Sequence, residues 1–187
     1  MRIVAGDFKG RALRAPEGSA TRPTADRVRE ALFSHLEARL GGLEGVRVLD
    51  AFAGTGALGL EALSRGAAHC LFVESDRTAL SALRANIEHC AIGEDRATVR
   101  AGNAFVLSAR LAQQGPFDLV LLDPPYTTPA AEVLRLLEAL RQEGAIHPGT
   151  YVVYEHQRRQ QVDWPACYDE THQARYGKTF LSSAFIV

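Results

Sequence analysis

The sequence has no apolar run that approaches the ~18 residues needed to span a membrane. Its first residues, Met-Arg-Ile-Val-Ala-Gly-Asp, also lack the apolar core of a signal peptide. Only three cysteines are present, Cys70, Cys90 and Cys167, with no Cys-x-x-Cys spacing and one necessarily unpaired. These absences predict a protein of the reducing cytoplasm, without a membrane segment, a disulfide frame or metal ligands.

An excess of charge of one sign is also missing. The net charge of the 187 residues is -1, so the whole molecule is not an electrostatic binder of nucleic acid. The distribution is nevertheless uneven, because residues 1–23 carry +3 and the remainder carries -4. Such a basic face predicts contact with phosphates along one edge, although a merely solvated surface explains the same charges. The basic residues concerned are Arg2, Lys9, Arg11, Arg14 and Arg22.

Strand and helix patterns alternate along the chain, which predicts an α/β fold with a doubly wound, mostly parallel sheet. Residues 2–15 are interpreted as two short strands, and residues 24–40 as a helix that precedes the sheet. In that helix the apolar spacing predicts that Arg29 lies on the polar side. Residues predicted to face the core are Val28, Ala31, Leu32, Leu36 and Leu40. Later strands are predicted at 46–49, 70–73, 97–100, 117–122 and 151–155, then an antiparallel pair at 167–175 and 179–187.

One strand ends in Asp-Pro-Pro-Tyr. The apolar run 119–122 predicts a buried strand, and the prolines that follow cannot continue it, so Asp123 is expected at its carboxyl end. The carboxylate of Asp123 and the carbonyl of Pro124 can accept the two hydrogens of a planar amino group, which makes its nitrogen nucleophilic. Tyr126 offers a ring on which an extruded base can stack. A simple strand-ending turn is the alternative interpretation.

Gly54, Gly56 and Gly59 form a Gly-x-Gly-x-x-Gly motif between a predicted strand and helix, and Glu74 ends the next strand. This pattern alone fits a nicotinamide dinucleotide site. Asp50 disfavours that interpretation, because an acid at the end of the first strand repels phosphate and suits an amine or a sulfonium.

Polar groups end four successive predicted strands: Asp50, Glu74, Asn103 and Asp123. S-adenosyl-L-methionine needs an acid for its amino group, an acid for its ribose hydroxyls and a site for adenine. The sequence therefore predicts this cofactor. Its predicted contacts are Asp50, Phe52, Gly54, Thr55, Gly56, Glu74, Asn103 and Ala104.

The segments 48–56 and 123–126 resemble the class I, Rossmann-like amino-methyltransferases. The segments 2–6, 9–13, 22–33 and 176–179 make nearly the whole chain similar to the RsmD family. The resemblance implies a seven-stranded sheet whose last strand is antiparallel. It also implies a monomeric enzyme that methylates the 2-amino group of a guanine in small-subunit (16S) ribosomal RNA. The substrate would be an assembling 30S subunit with ribosomal proteins. Asn103 departs from the acid that the wider class often has there.

Two regions are predicted: a basic N-terminal β-hairpin extension, residues 1–23, and a methyltransferase domain, residues 24–187. Pro23, Thr24 and Arg27 open the first helix and are expected to close over the same pocket and contact the RNA, although a helix cap at Thr24 and a surface cation at Arg27 explain these two residues equally well. The alternatives are a methyltransferase acting on DNA adenine or protein glutamine, and a non-catalytic RNA-binding relative. A dehydrogenase is disfavoured by Asp50.

Overall fold

The computed structural model describes residues 1–15, 23–157, 162–177 and 179–187. Side chains are not described at positions 23–25 and 171. The predictions for Arg22 and for the side chain of Thr24 therefore fall outside the described residues. The same holds for Lys178 in the Tyr-Gly-Lys-Thr segment.

Helices and strands alternate within these residues much as the sequence patterns predict. The helices are α1 (Pro23–Leu40), α2 (Ala57–Ser64), α3 (Arg77–His89), α4 (Ala104–Ala112) and α5 (Ala130–Gln142). The strands are β1 (Arg47–Asp50), β2 (His69–Glu74), β3 (Ala97–Ala101), β4 (Phe117–Leu122), β5 (Ile146–Gln157), β6 (Tyr168–Tyr176) and β7 (Thr179–Ile186). Most predicted boundaries differ by one or two residues, whereas β5 begins five residues before the predicted strand.

The described strands form one seven-stranded sheet in the order β3-β2-β1-β4-β5-β7-β6. Strands β1 to β5 pair in parallel, and β7 is antiparallel to both of its neighbours. The predicted fold is thus confirmed, including the antiparallel last strand. The strand order reverses at β1, which has β2 on one side and β4 on the other. Ligands of open α/β sheets bind at such a point, outside the carboxyl ends of the strands.

Apolar side chains cover both faces of the sheet. Strand β4 is buried at every position except Asp118, as expected for a central parallel strand. On one face α1, α2 and α3 pack through residues such as Phe33, Leu63 and Leu83. On the other face α4 and α5 pack through residues such as Leu111 and Leu137. The two layers leave the carboxyl ends of the parallel strands accessible between them.

The N-terminal segment is attached to α2 and contributes to the core. Ile3 is 1% exposed and Leu13 is 6% exposed. The buried carboxylate of Glu61 accepts hydrogen bonds from the backbone N–H groups of Val4 and Ala5, at 2.8 and 3.0 Å. Instead of the two predicted strands, this segment has a single antiparallel bridge between Arg2 and Ala12. Around that bridge the N–H of Ile3 donates to the carbonyl of Arg11 and the N–H of Leu13 to that of Met1, so the two halves pair antiparallel over a short length and are also anchored to α2.

Arg29 corrects one prediction about α1. The residue was assigned to the polar side of the helix but is only 4% exposed. Its guanidinium donates to the carbonyl of Arg2 and to Asp26, and lies 3.5 Å from Glu61. The prediction was wrong because a buried acid on α2, distant in sequence, offers the cation a partner. Of the five residues predicted to face the core, Leu32 and Leu36 are buried, while Val28, Ala31 and Leu40 are half-buried.

Candidate active site

A cavity of about 690 Å³ opens at the carboxyl ends of the parallel strands. It contains every residue predicted as catalytic, and all of the predicted cofactor contacts except Gly56 line it directly. The lining residues that the sequence predicted are Asp50, Phe52, Gly54, Thr55, Glu74, Asn103, Ala104, Asp123, Pro124 and Tyr126. Since these residues come from four strand ends, the cavity arises directly from the parallel arrangement of the sheet.

The glycine motif forms a tight turn from β1 into α2. Gly56 precedes the helix with a φ of 85°, a left-handed conformation that L side chains rarely adopt. A Cβ atom at Gly59 would lie 2.3 Å from the ring of Phe72 and 2.6 Å from the sulfur of Cys70. Gly56 therefore lets the chain turn, and Gly59 lets α2 pack closely on β2.

Asp50 is a buried acid with one unsatisfied oxygen. Its side chain is 1% exposed, and Oδ2 accepts a hydrogen bond of 3.0 Å from the N–H of Gly59. The other oxygen, Oδ1, has no hydrogen-bond partner among the described residues. Burial, supplemented by the nearby charge of Glu74, raises the pKa of Asp50 to about 7. A buried carboxyl oriented in this way is suited to accept hydrogen bonds from a cationic amine, which would lower that pKa.

Glu74 holds the glycine turn in place. Its Oε2 accepts a hydrogen bond of 2.7 Å from the N–H of Gly54. Its Oε1 accepts from the N–H groups of Ser75 and Asp76, each at 2.7 Å. All three donors are backbone groups, and the side chain of Glu74 is half-exposed at the cavity wall. Vicinal hydroxyls can approach it from the cavity.

Two aromatic rings border the part of the cavity beyond β3. Phe52 and Phe105 lie with their centroids 5.4 Å apart and their planes tilted by 51°. Asn103 caps α4, since its side-chain oxygen accepts from the N–H of Phe105 at 2.9 Å. The amide nitrogen of Asn103 remains the group able to contact a ring in the cavity. The sequence analysis did not predict Phe105 as a cavity residue. Its position directly after the predicted contacts Asn103 and Ala104 could have indicated it.

Asp123 immediately follows β4, as predicted, and Pro124 is buried behind it. The carboxyl group of Asp123 is accessible from the cavity but is surrounded by its walls. This partial desolvation, together with the charges of Glu155 and Asp50, raises the pKa of Asp123 well above the usual carboxyl range. Tyr126 is 48% exposed beside it and lines the same cavity, where its ring can stack against a planar group.

Glu155 is the acidic residue that the sequence analysis missed. It lies in β5 and lines the cavity with Asp123 and Tyr126. The hydroxyl of Tyr126 donates to Oε1 of Glu155 at 3.4 Å, and the hydroxyl of Thr179 donates to the same oxygen at 3.3 Å. Burial raises the pKa of Glu155 as well. The sequence contained the information needed to predict it. Glu155 ends the predicted fifth strand, and ligands of open α/β sheets bind outside the carboxyl ends of the strands.

The basic residues are not gathered around this cavity. Arg2, Lys9 and Arg27 line a second cavity of about 370 Å³, together with Asp26 and Glu30. The other two described residues predicted to contact RNA, Arg11 and Arg14, lie elsewhere on the N-terminal segment. Arg11 donates to the carbonyl of His89 at 3.0 Å, and the Arg14 side chain is exposed.

No helix in the described part of the chain is both long enough and apolar enough to cross a bilayer. In those same ranges, no three His, Cys, Asp or Glu side chains are arranged to hold a metal ion.

The sheet order and the polar strand ends fit a methyltransferase with the class I, Rossmann-like fold. Residues 1–184 match the family model described as Conserved hypothetical protein 95. The chain is 42% identical over 144 residues to Ribosomal RNA small subunit methyltransferase D of Escherichia coli K12, covering 74% of this chain and 67% of that protein. It is 34% identical over 182 residues to YlbH of Bacillus subtilis 168, covering 96% and 95% of the two chains.

A solved structure agrees with these relatives. The methyltransferase yhhF of Escherichia coli superposes with a TM-score of 0.83 at 34% identity, covering 100% of this chain and 97% of that one. The chain therefore belongs to the Conserved hypothetical protein 95 family, which is the RsmD family of methyltransferases.

Proposed function

We propose that the protein transfers a methyl group from S-adenosyl-L-methionine to the exocyclic 2-amino group of a guanine in small-subunit (16S) ribosomal RNA. The observation that carries the proposal is the position of Asp123 and Tyr126 in one cavity with Asp50 and Glu74. Membership of the RsmD family supports the RNA substrate, because the Escherichia coli relative is named a ribosomal RNA small subunit methyltransferase.

The residues of the cavity fit the cofactor. Oδ1 of Asp50 is a buried acceptor without a partner, as an ammonium group requires. Glu74 presents a carboxylate suited to two ribose hydroxyls, and the rings of Phe52 and Phe105 border a space for adenine. When bound, S-adenosyl-L-methionine would supply an electrophilic methyl group on a positively charged sulfur. A cavity lined by acids complements this charge.

Asp123 and Pro124 prepare the nucleophile. The lone pair of an exocyclic amino group is delocalised into the base, so the nitrogen is a weak nucleophile. The carboxylate of Asp123 and the carbonyl oxygen of Pro124 accept its two hydrogens and direct the lone pair into the cavity. Tyr126 stacks on the extruded base and fixes its plane. Asp123 also lies next to the proton that the nitrogen must lose, and can accept it. Catalysis therefore depends mainly on the positioning of these groups and on the exclusion of water.

The RNA partner is contacted outside the cavity. The basic N-terminal extension, residues 1–23, contacts phosphates of the RNA through Arg2, Lys9, Arg11, Arg14 and Arg22, with Thr24 and Arg27 at the start of α1. Because these cations are few, ribosomal proteins help to present the target, and the substrate is an assembling 30S subunit. The enzyme acts as a monomer in the cytoplasm.

A transfer experiment tests the proposal. Purified protein is incubated with methyl-labelled S-adenosyl-L-methionine and either free 16S RNA or small subunits from cells that lack the protein. We expect label in N2-methylguanosine, with the subunit as the better acceptor. Duplex DNA and total protein serve as the competing acceptors. Label in either of them, with none in RNA, would replace the proposed substrate by one of the alternatives.

A further inference from the structure

Glu155 lines the cavity together with Asp123, close to where β4 ends. Leu121 pairs with Val153, and Leu122 pairs with Tyr154, in the parallel register of β4 and β5. Leu121 and Val153 share one core face, and side chains alternate between faces along a strand. Continued one residue beyond the end of β4, this register puts Asp123 next to Glu155 on that face, and both side chains line the cavity.

Among the described residues, hydrogen-bond donors reach one carboxyl oxygen of Glu155 and not the other. Tyr126 and Thr179 both donate to Oε1, at 3.4 and 3.3 Å. Oε2 receives no hydrogen bond from the residues that the structure describes. The Tyr126 hydroxyl also connects this carboxyl group to the ring proposed to stack on the base. A planar ligand on Tyr126 would thus have two acceptors, from Asp123 and Glu155, along one edge.

Guanine has a matching edge. Its 2-amino group and its N1–H are adjacent donors, whereas adenine and cytosine have an unprotonated ring nitrogen, an acceptor, next to the exocyclic amino group. We propose that Glu155 determines specificity for guanine by accepting the N1–H while Asp123 accepts from the 2-amino group. This inference rests on the proposed function and adds the residue that selects the base.

The proposed contact of Glu155 favours guanine and also disfavours bases with an unprotonated ring nitrogen. A carboxylate facing N1–H gains a hydrogen bond, and a carboxylate facing an unprotonated ring nitrogen meets a second acceptor and is repelled. Partial desolvation in the cavity, together with the nearby charge of Glu155, raises the pKa of Asp123. Two adjacent donors on the base would relieve the repulsion between the carboxylates of Asp123 and Glu155.

The test uses 2,6-diaminopurine, which keeps the 2-amino group of guanine but has an unprotonated N1. Mass mapping first locates the guanine that the wild-type protein methylates. Splinted ligation then places 2,6-diaminopurine at that position in 16S RNA assembled into subunits. We expect the wild-type enzyme to prefer guanine by about ten- to a hundredfold in kcat/KM, the usual range for one specific base contact.

Glu155→Gln is the decisive variant, because its amide can donate to the unprotonated N1. We expect it to reduce the preference for guanine by at least about tenfold, mainly by losing activity on guanine. Glu155→Asp, whose carboxylate is withdrawn by one methylene, should lose activity on guanine without gaining any on 2,6-diaminopurine. The matched control is Glu94→Gln, at an exposed glutamate outside the cavity, which should keep the wild-type preference.

The outcomes separate this inference from the function on which it rests. If the wild-type protein methylates guanine and both Glu155 variants keep its preference, Glu155 does not read the base, and the proposed function stands. A uniform loss of activity on both bases in both variants also overturns the inference, since it indicates a structural role only. If the wild-type protein methylates no guanine, the proposed function fails and the inference fails with it.

Discussion

The side-chain amide of Asn86 on α3 donates a hydrogen bond of 2.9 Å to the carbonyl oxygen of Thr55 in the glycine turn. The same side chain accepts from the N–H of Arg14 at 2.7 Å and donates to its carbonyl at 3.1 Å. Asn86 is fully buried. A single buried amide therefore joins the basic N-terminal segment to the turn that borders the cofactor cavity.

Asn86→Leu should destabilise the protein by roughly 2 to 4 kcal/mol, because it leaves the backbone groups of Arg14 and Thr55 without partners. The free energy of unfolding in urea measures this loss. Arg84→Leu, at an exposed position of the same helix, is the control and should change the free energy little. Equal stabilities of the two variants would show that the hydrogen bonds of Asn86 contribute nothing.

The raised pKa of Asp50 predicts a dependence of stability on pH. The folded protein holds this proton up to about pH 7, whereas an unfolded aspartate releases it in the ordinary acidic range. The contribution of Asp50 is therefore complete in acid and is lost as the pH rises through about 7. Between those limits the free energy of unfolding should fall by up to about 1.4 kcal/mol per pH unit.

Urea unfolding of wild-type protein and Asp50→Asn, followed from about pH 5 to about pH 8, measures this contribution. The wild-type curve should fall relative to that of the variant. Cofactor binding should reverse the effect by stabilising the ionised carboxylate. Parallel curves for the two proteins would contradict a raised pKa at Asp50.

Asp123→Ala should abolish methyl transfer and leave cofactor affinity nearly unchanged, because the proposed contacts of Asp123 are to the reacting nitrogen. Single-turnover rates and calorimetric affinities for S-adenosyl-L-methionine measure the two effects separately. Asp169→Ala removes an exposed acid from β6 and serves as the control for charge. Normal turnover by Asp123→Ala would refute the account of nucleophile activation.

The basic extension should govern the salt dependence of RNA binding. Lys9 and Arg14 are exposed there, and each neutralised phosphate contributes a logarithmic slope of about -0.7 to -0.9. The double variant Lys9→Ala and Arg14→Ala should therefore flatten the slope by about one and a half units. Filter binding across a salt series measures it. The control pair, Arg110→Ala and Arg135→Ala, lies on α4 and α5. An equal effect of the control pair would remove any special role of the extension.

The sequence allowed the fold to be predicted because its signals are local. The apolar run of β4 and the two prolines after it fix where the strand ends, and Gly56 marks the turn into α2. Parallel strands then bring their carboxyl ends together by topology alone. The cavity could thus be assembled from Asp50, Glu74 and Asp123 without coordinates.

What could not be predicted depends on contacts between distant segments. Arg29 is buried because Glu61 lies opposite it, and no pattern within α1 indicates that partner. Asn86 looks like an ordinary helical residue until Arg14 and Thr55 are placed around it. Glu155 is different, because it ends the predicted fifth strand and could have been included with the other polar strand ends; the structure shows that it lines the cavity with Asp123.

The most direct measurement of the central claim is mass mapping of methylated nucleosides in ribosomal RNA. The RNA is taken from cells that lack the protein, complemented with either the wild-type gene or Asp123→Ala. We expect one N2-methylguanosine of the small-subunit RNA to be absent from the deletion strain, restored by the wild-type protein and not restored by the variant. An unchanged set of methylated guanines in the deletion strain would contradict the proposed function.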